Sequence, residues 1–213
     1  MKNKLLHIVF LLLVPIWINA QPMSISHTEN FADTKKDILE LYSPQKLENE
    51  KVYRIWFDDF QVIELVKTEN SVVKGTLVNY VTKIVRNCKK NKIISQSQKL
   101  EIPENMAKTL FEKFKNENIE TLPDSRDIDG YVFGCDGNSV TFEEKTPNVN
   151  RTYFYWEPEN NNYQDSTNIN VIAVRQFLNA VNGEMNRSRL FRNFTANLEV
   201  GEYHYGMIAL KVK

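Results

Sequence analysis

The sequence predicts an α+β domain in which an antiparallel sheet of six to eight strands carries three helices, mainly on one face. Three observations predict this class. Short runs of β-branched and aromatic residues, separated by turn residues, fill the first half of the chain. Three later stretches repeat apolar residues at helical spacing. Strands and helices do not alternate strictly, which argues against a doubly wound parallel sheet.

The first half of the chain predicts an antiparallel meander of four strands. Residues 52–57 and 61–66 are dense in β-formers and flank the turn signal Asp58-Asp59, so we expect them to form a hairpin. Residues 72–85 and 93–100 continue the same pattern as the third and fourth strands.

The second half supplies the helices and the remaining strands. Residues 103–115 have apolar side chains on one side, charged side chains on the other, and a proline at the first position, which predicts a helix. The other predicted elements are a hairpin of residues 139–145 and 152–156, helices at 169–181 and 189–198, and closing strands at 202–205 and 207–212. The expected core face of the second helix comprises Ile172, Ala173, Gln176, Phe177 and Ala180.

The first 20 residues predict a cleaved secretory signal. Lys2 and Lys4 precede a 14-residue apolar stretch that ends at Ile18, and Ala20 precedes Gln21. The stretch is shorter than the roughly 20 residues that a membrane-spanning helix needs. We therefore expect a periplasmic or extracellular protein with no membrane span after cleavage. Residues 21–48 would form an N-terminal arm with a short helix, and residues 49–213 a single domain.

Charge and cysteine content narrow the classes of partner and compartment. The 27 basic residues balance the 27 acidic ones, so the overall field does not favour nucleic acid. In an oxidising compartment two thiols in one domain are more often paired than free. We therefore expect a disulfide between Cys88 and Cys135, provided that the fold brings their Cα atoms within bonding range.

No catalytic residue can be assigned from the sequence. Only two histidines remain after the leader, and neither has the spacing of a triad or a zinc site. Asp127, Asp129 and Asp136 match three positions of a calcium-binding loop, but the usual final glutamate and the following helix are missing. Two interpretations stay open for this loop, a calcium site or an acidic turn. The sequence indicates no cofactor other than this calcium.

Aromatic strands provide the leading functional hypothesis. Arg54 and Trp56 share one strand face, Tyr153 and Tyr155 share a face of a later strand, and Trp156 lies on that strand's other face. If one sheet face is left open by the helices, these side chains form a binding surface. The alternative is that a loop, the arm or a helix covers them as a second small core.

These observations predict an exported, non-catalytic domain that binds a protein or a glycan. Two alternatives from other classes remain. One is a small secreted hydrolase that uses the loop carboxylates at Asp127, Asp129 and Asp136, and the other is a structural component of the cell envelope.

Several strand sequences resemble uncharacterised exported proteins of Bacteroidetes-type bacteria. The resemblance is carried by the segments at 53–57, 61–65, 136–143 and 153–158, which read YRIWF, QVIEL, DGNSVTFE and YFYWEP. These are patterned strands, not catalytic signatures. The group has no assigned activity, so the resemblance implies export but no site residues.

Overall fold

The computed structural model describes residues 39–41, 50–58, 60–85, 92–206 and 208–213. Within these ranges it shows one antiparallel sheet of eight strands and three α-helices, which confirms the predicted α+β class. The predicted signal at 1–20 and all of the predicted arm except residues 39–41 lie outside the described residues.

Each element predicted between residues 52 and 212 is present, with its ends shifted by a few residues at most. The strands are β1 (Lys51–Phe57), β2 (Gln61–Lys67), β3 (Val73–Val85), β4 (Lys92–Ile102), β5 (Ser139–Lys145), β6 (Asn150–Trp156), β7 (Gly201–Tyr205) and β8 (Ile208–Val212). The helices are α1 (Glu104–Asn116), α2 (Ile169–Glu184) and α3 (Arg187–Ala196), and short 3-10 turns occur at Ile119–Thr121 and Ser125–Asp127.

The strand order is β6-β5-β1-β2-β3-β7-β8, and β4 also pairs with β3. β4 runs antiparallel to β3 from Gly75 opposite Ile102 to Val85 opposite Lys92. It therefore occupies one whole edge of β3. β2 and β7 share the other edge, where β7 joins through Thr82 and Lys83 alone.

All three helices pack on the same face of the sheet, as predicted. Tyr53 of β1 stacks on Phe114 of α1 with ring centres 4.1 Å apart, and Phe114 also contacts Phe177 of α2. α3 covers the far end of this face, where Phe191 and Phe194 cluster with side chains of β3 and β7. None of the helices in the described ranges is long and apolar enough to cross a membrane.

Of the predicted face of α2, Phe177 is buried and Ala173 packs partly buried against the core, whereas Gln176 is exposed. The buried side chains are Val171, Val174, Phe177, Leu178 and Val181, so the buried stripe is rotated toward neighbouring positions. Apolar residues occur around most of this helix, and the contacts with α1 and the sheet therefore decide which of them are buried.

Candidate binding surface

The sheet face opposite the helices has a buried ion cluster at its centre. Strand register places Arg54 of β1 opposite Glu64 of β2 and Glu143 of β5. The Arg54 guanidinium donates from Nε to Glu64 Oε2 at 2.7 Å and from Nη1 to Glu143 Oε1 at 3.0 Å. Arg54 is only 1% exposed. Because a buried charge needs opposite charges around it, this geometry indicates a structural cluster inside the protein.

Trp56 lies in the same interior. Its indole Nε1 donates to Glu143 Oε2 at 3.4 Å, and Leu39 packs over it in a cluster that also contains Val62 and Val78. The expectation that Arg54 and Trp56 are exposed is therefore wrong. The alternative interpretation, a second small core covered by the arm, describes this part of the face.

Tyr153 and Tyr155 are also buried, and they face the helices. The Tyr153 hydroxyl donates to the Ile119 carbonyl oxygen, and the Tyr155 hydroxyl donates to the Pro123 carbonyl oxygen at 2.8 Å. Burial raises the pKa of both hydroxyls above the usual value. The expectation that these tyrosines are exposed is therefore wrong too. Their hydroxyls instead fasten the segment after α1 onto the sheet.

The same segment covers the outer edge of β6. Arg151 donates to the carbonyl oxygens of Glu120 and Leu122, and the Phe154 backbone N–H donates to Asp124 Oδ2 at 3.3 Å. Burial would raise the pKa of Asp124, but hydrogen bonds from Arg126 outweigh it and lower the pKa. These side-chain contacts occupy an edge that would otherwise be open to pairing with another strand.

Exposed aromatic side chains cluster beside β6, at the margin of the second face of the sheet, which is the face opposite the helices. We call Val132, Phe133, Phe154 and Tyr163, with Trp156 beneath them, the aromatic patch. Phe133 and Tyr163 are each 46% exposed and Val132 is 42% exposed. The Phe133 ring centre lies 6.0 Å from that of Phe154, and the Tyr163 ring centre lies 4.9 Å from that of Trp156. Of the predicted site residues, only Trp156 belongs to this patch, and it is itself buried at 8% exposure.

Two loops, residues 124–138 and 157–168, form the patch together with β6, and a buried glutamine joins the loops. Gln164 accepts a bond from the Val132 N–H at 3.4 Å and donates to the Val132 carbonyl at 2.9 Å. It also donates to the Trp156 carbonyl at 2.9 Å, an oxygen that accepts from the Tyr131 hydroxyl as well. Gln164 is only 2% exposed, so these bonds are shielded from water. The exposed rings therefore stand on a fixed base.

Gly134 explains how the first loop lies flat against the indole. A Cβ atom at this position would overlap Trp156 Cζ2 and lie 2.7 Å from Cη2. Only glycine allows the backbone to approach the ring this closely. The glycine at position 134 is thus explained by packing.

The predicted metal-binding residues and Cys135 lie in the first of these loops. Asp127, Asp129 and Asp136 are exposed. Within the described ranges, no three histidine, cysteine, aspartate or glutamate side chains form a group that could hold a metal ion. Cys135 is an exposed free thiol and Cys88 lies outside the described residues, so the structure does not show the predicted disulfide.

Sequence reasoning missed Phe133 and Tyr163. Both lie in loops that the sequence marks as acidic or asparagine-rich, and neither belongs to a periodic strand or helix. The available signal was their large apolar size within a polar loop, which is unusual unless the ring packs on a neighbour or meets a ligand.

Comparison of the chain with models of known protein families and with curated protein sequences gives no match. The assignment of a function therefore depends on the site alone.

Proposed function

We propose that the chain is an exported, non-catalytic binding domain, and that it contacts a protein or a glycan outside the cytoplasm through the aromatic patch. One observation carries the proposal: two large rings, Phe133 and Tyr163, stay 46% exposed beside the sheet. Clustered exposed rings keep apolar area in water, and binding a partner removes that area from water.

The construction of the patch supports a role in binding. Gln164 and Tyr131 hold the two loops at the Trp156 carbonyl, so the rings are positioned before any ligand arrives. A surface held in its binding geometry loses less conformational entropy when it binds. Loops that carry exposed rings on a rigid sheet are a common arrangement for recognition.

The location and the lack of catalysis are proposed from the sequence. The order of basic, apolar and small residues over positions 1–20 favours export. Of the two histidines that follow, His204 lies in β7, opposite Thr82. Its Nε2 atom lies 3.8 Å from Glu202 Oε1, a weak contact between two partly exposed side chains.

Site-directed photo-crosslinking in the host cell tests the proposal. A photo-reactive phenylalanine analogue replaces Tyr163 in one protein and Val200 in a matched control. Val200 is 73% exposed and directly precedes β7, which four strands separate from β6 in the sheet. We expect a crosslinked species outside the cytoplasm from position 163 and none from position 200. Sensitivity of that species to protease or to glycosidase would identify the class of ligand. No crosslink from 163, or equal crosslinking from both positions, would contradict the proposal.

A further inference from the structure

We propose that the ligand of the aromatic patch is a cationic polypeptide segment that inserts an apolar side chain between basic residues. This inference rests on the proposed function of the patch and adds the chemistry of its partner. Three features carry it: the charge of the surrounding loops, the exposure of their carboxylates, and a cation already stacked on the patch.

The two loops that build the patch are strongly acidic, although the whole chain is balanced. Residues 124–138 and 157–168 contain seven carboxylates and one guanidinium, a formal charge of −6. Arg175 of α2 reaches the second loop, where it donates to the Pro158 carbonyl at 2.6 Å. Counting it leaves a charge of −5. The seven acidic residues are Asp124, Asp127, Asp129, Asp136, Glu157, Glu159 and Asp165.

Most of these carboxylates are available to a partner. Asp127, Asp129, Asp136 and Glu159 are exposed. The single basic residue, Arg126, is already bound to Asp124, with Nε 2.8 Å from Oδ1. Negative charge around an apolar centre attracts a partner with the opposite arrangement, because the charges steer the encounter and the apolar contact excludes water.

The patch already holds one cation of the chain itself. The Arg126 guanidinium carbon lies 5.5 Å from the centre of the Phe154 ring, within the range of a cation–π contact. Phe133 offers a partly exposed ring 6.0 Å from this one, and Tyr163 offers another that packs on Trp156. A partner's lysine or arginine would therefore find both a carboxylate rim and aromatic faces.

Other classes of ligand fit this surface less well. A nucleic acid or an acidic lipid surface carries negative charge, which the loops repel. A neutral glycan could stack on the rings, but it would make no use of the excess negative charge. A basic polypeptide uses both the rings and the charge.

Fluorescence anisotropy with three short labelled peptides tests the inference on the chain purified from expressing cells. The peptides are Lys-Lys-Trp-Lys-Lys, its charge-inverted form Glu-Glu-Trp-Glu-Glu, and Lys-Lys-Ala-Lys-Lys, which lacks the apolar anchor. We expect only the first peptide to bind. Its affinity should fall roughly tenfold when the salt concentration rises from low to physiological. The double variant Phe133→Ser/Tyr163→Ser should lose this binding.

Matched charge variants separate local from overall electrostatics. Asp127→Asn/Asp129→Asn/Asp136→Asn removes three rim carboxylates and should weaken binding of the cationic peptide at least about tenfold. Glu101→Gln/Glu104→Gln/Glu112→Gln changes the net charge equally at exposed positions of β4 and α1, and should leave the affinity unchanged.

Each contrary outcome is distinct from failure of the proposed function. Equal binding of the acidic peptide, equal loss in both charge variants, or no binding of the cationic peptide would overturn the cationic-segment inference. Tight binding of a neutral oligosaccharide such as cellohexaose that Phe133→Ser/Tyr163→Ser abolishes would also overturn it, while leaving the patch as a binding surface. Failure of the patch itself is decided by the crosslinking comparison of positions 163 and 200.

Discussion

The centre and the margin of the second sheet face carry similar residues in opposite environments. At the centre, Trp56 lies beneath Leu39 and next to a guanidinium that forms ion pairs with two glutamates. At the margin, Phe133 and Tyr163 remain in water on loops with a large excess of negative charge. Aromatic content alone therefore does not indicate a binding surface. The decisive difference is whether residues distant in sequence cover the rings.

The largest effect is expected when the cation at the centre is removed. Arg54→Met removes the guanidinium that contacts Glu64 and Glu143, and it leaves two carboxylates in a buried site. We expect the free energy of unfolding to fall by about 3–5 kcal/mol, measured by urea denaturation. Arg192→Met, at an exposed position on α3, should change it by less than about 0.5 kcal/mol.

A triple variant sharpens the same prediction. Adding Glu64→Gln and Glu143→Gln to Arg54→Met removes the uncompensated charge, so part of the lost stability should return. A fall of less than about 1 kcal/mol for Arg54→Met alone would show that the cluster is not desolvated as the structure places it.

Removing the cover of the centre should have the next largest effect. Leu39 is 2% exposed and packs on Trp56, Val62 and Val78. Leu39→Ala should therefore lower the free energy of unfolding by about 2–3 kcal/mol. It should also make the Trp56 indole more accessible to a soluble fluorescence quencher. Val200→Ala serves as the exposed aliphatic control. Unchanged quenching in Leu39→Ala would mean that the segment around residue 39 does not cover Trp56.

At the margin, a single methyl group should disturb the base of the aromatic patch. Gly134→Ala places Cβ against the rigid Trp156 indole. We therefore expect the free energy of unfolding to fall by about 1–3 kcal/mol and the loop to be held less firmly against the indole. Gly183→Ala is the matched control, because a Cβ there meets no atom within 4 Å in α2. It should stabilise the protein by up to about 1 kcal/mol. A change of the same sign in the free energy of unfolding for both variants would contradict this packing of Gly134 on Trp156.

The stability of the fold should also be sensitive to alkaline pH, because three buried tyrosine hydroxyls hold segments next to β6. Burial raises the pKa of Tyr131, Tyr153 and Tyr155, so the folded protein keeps their protons after the unfolded chain has lost them above pH about 10. The unfolded state then binds fewer protons, and the free energy of unfolding falls as pH rises. Below that pH the contribution is fully present.

Urea denaturation at a series of alkaline pH values measures this slope. Tyr155→Phe should reduce it by at most about 1.4 kcal/mol per pH unit, because one proton difference between the two states is removed. The unmodified protein, measured at the same pH values, provides the comparison. An unchanged slope in Tyr155→Phe would contradict the assignment of Tyr155 to the interior.

The sequence predicted the strands and helices well because their residue patterns are local. Alternation in β1 correctly placed Arg54 and Trp56 on one face, and the apolar side of the helix predicted at 103–115 is the buried side of α1. What the sequence could not give was the cover over each face. The burial of Trp56 depends on Leu39, and the exposure of Phe133 depends on a loop held by Gln164, and both contacts join residues without a shared periodic pattern.

The smallest stability effect is expected at the exposed rings themselves. Phe133→Ser loses ring contacts with Tyr131 and Phe154, and Tyr163→Ser loses one with Trp156. Because both rings are half in water, each change should cost about 1 kcal/mol or less in urea denaturation. Trp56→Phe, a milder change in ring size at the centre, should cost more than either. A loss above about 2 kcal/mol for Phe133→Ser would instead make that ring part of the core, and the loss of ligand in the same variant would then follow from unfolding. A small loss together with complete loss of binding is the combination that separates a recognition surface from a structural one.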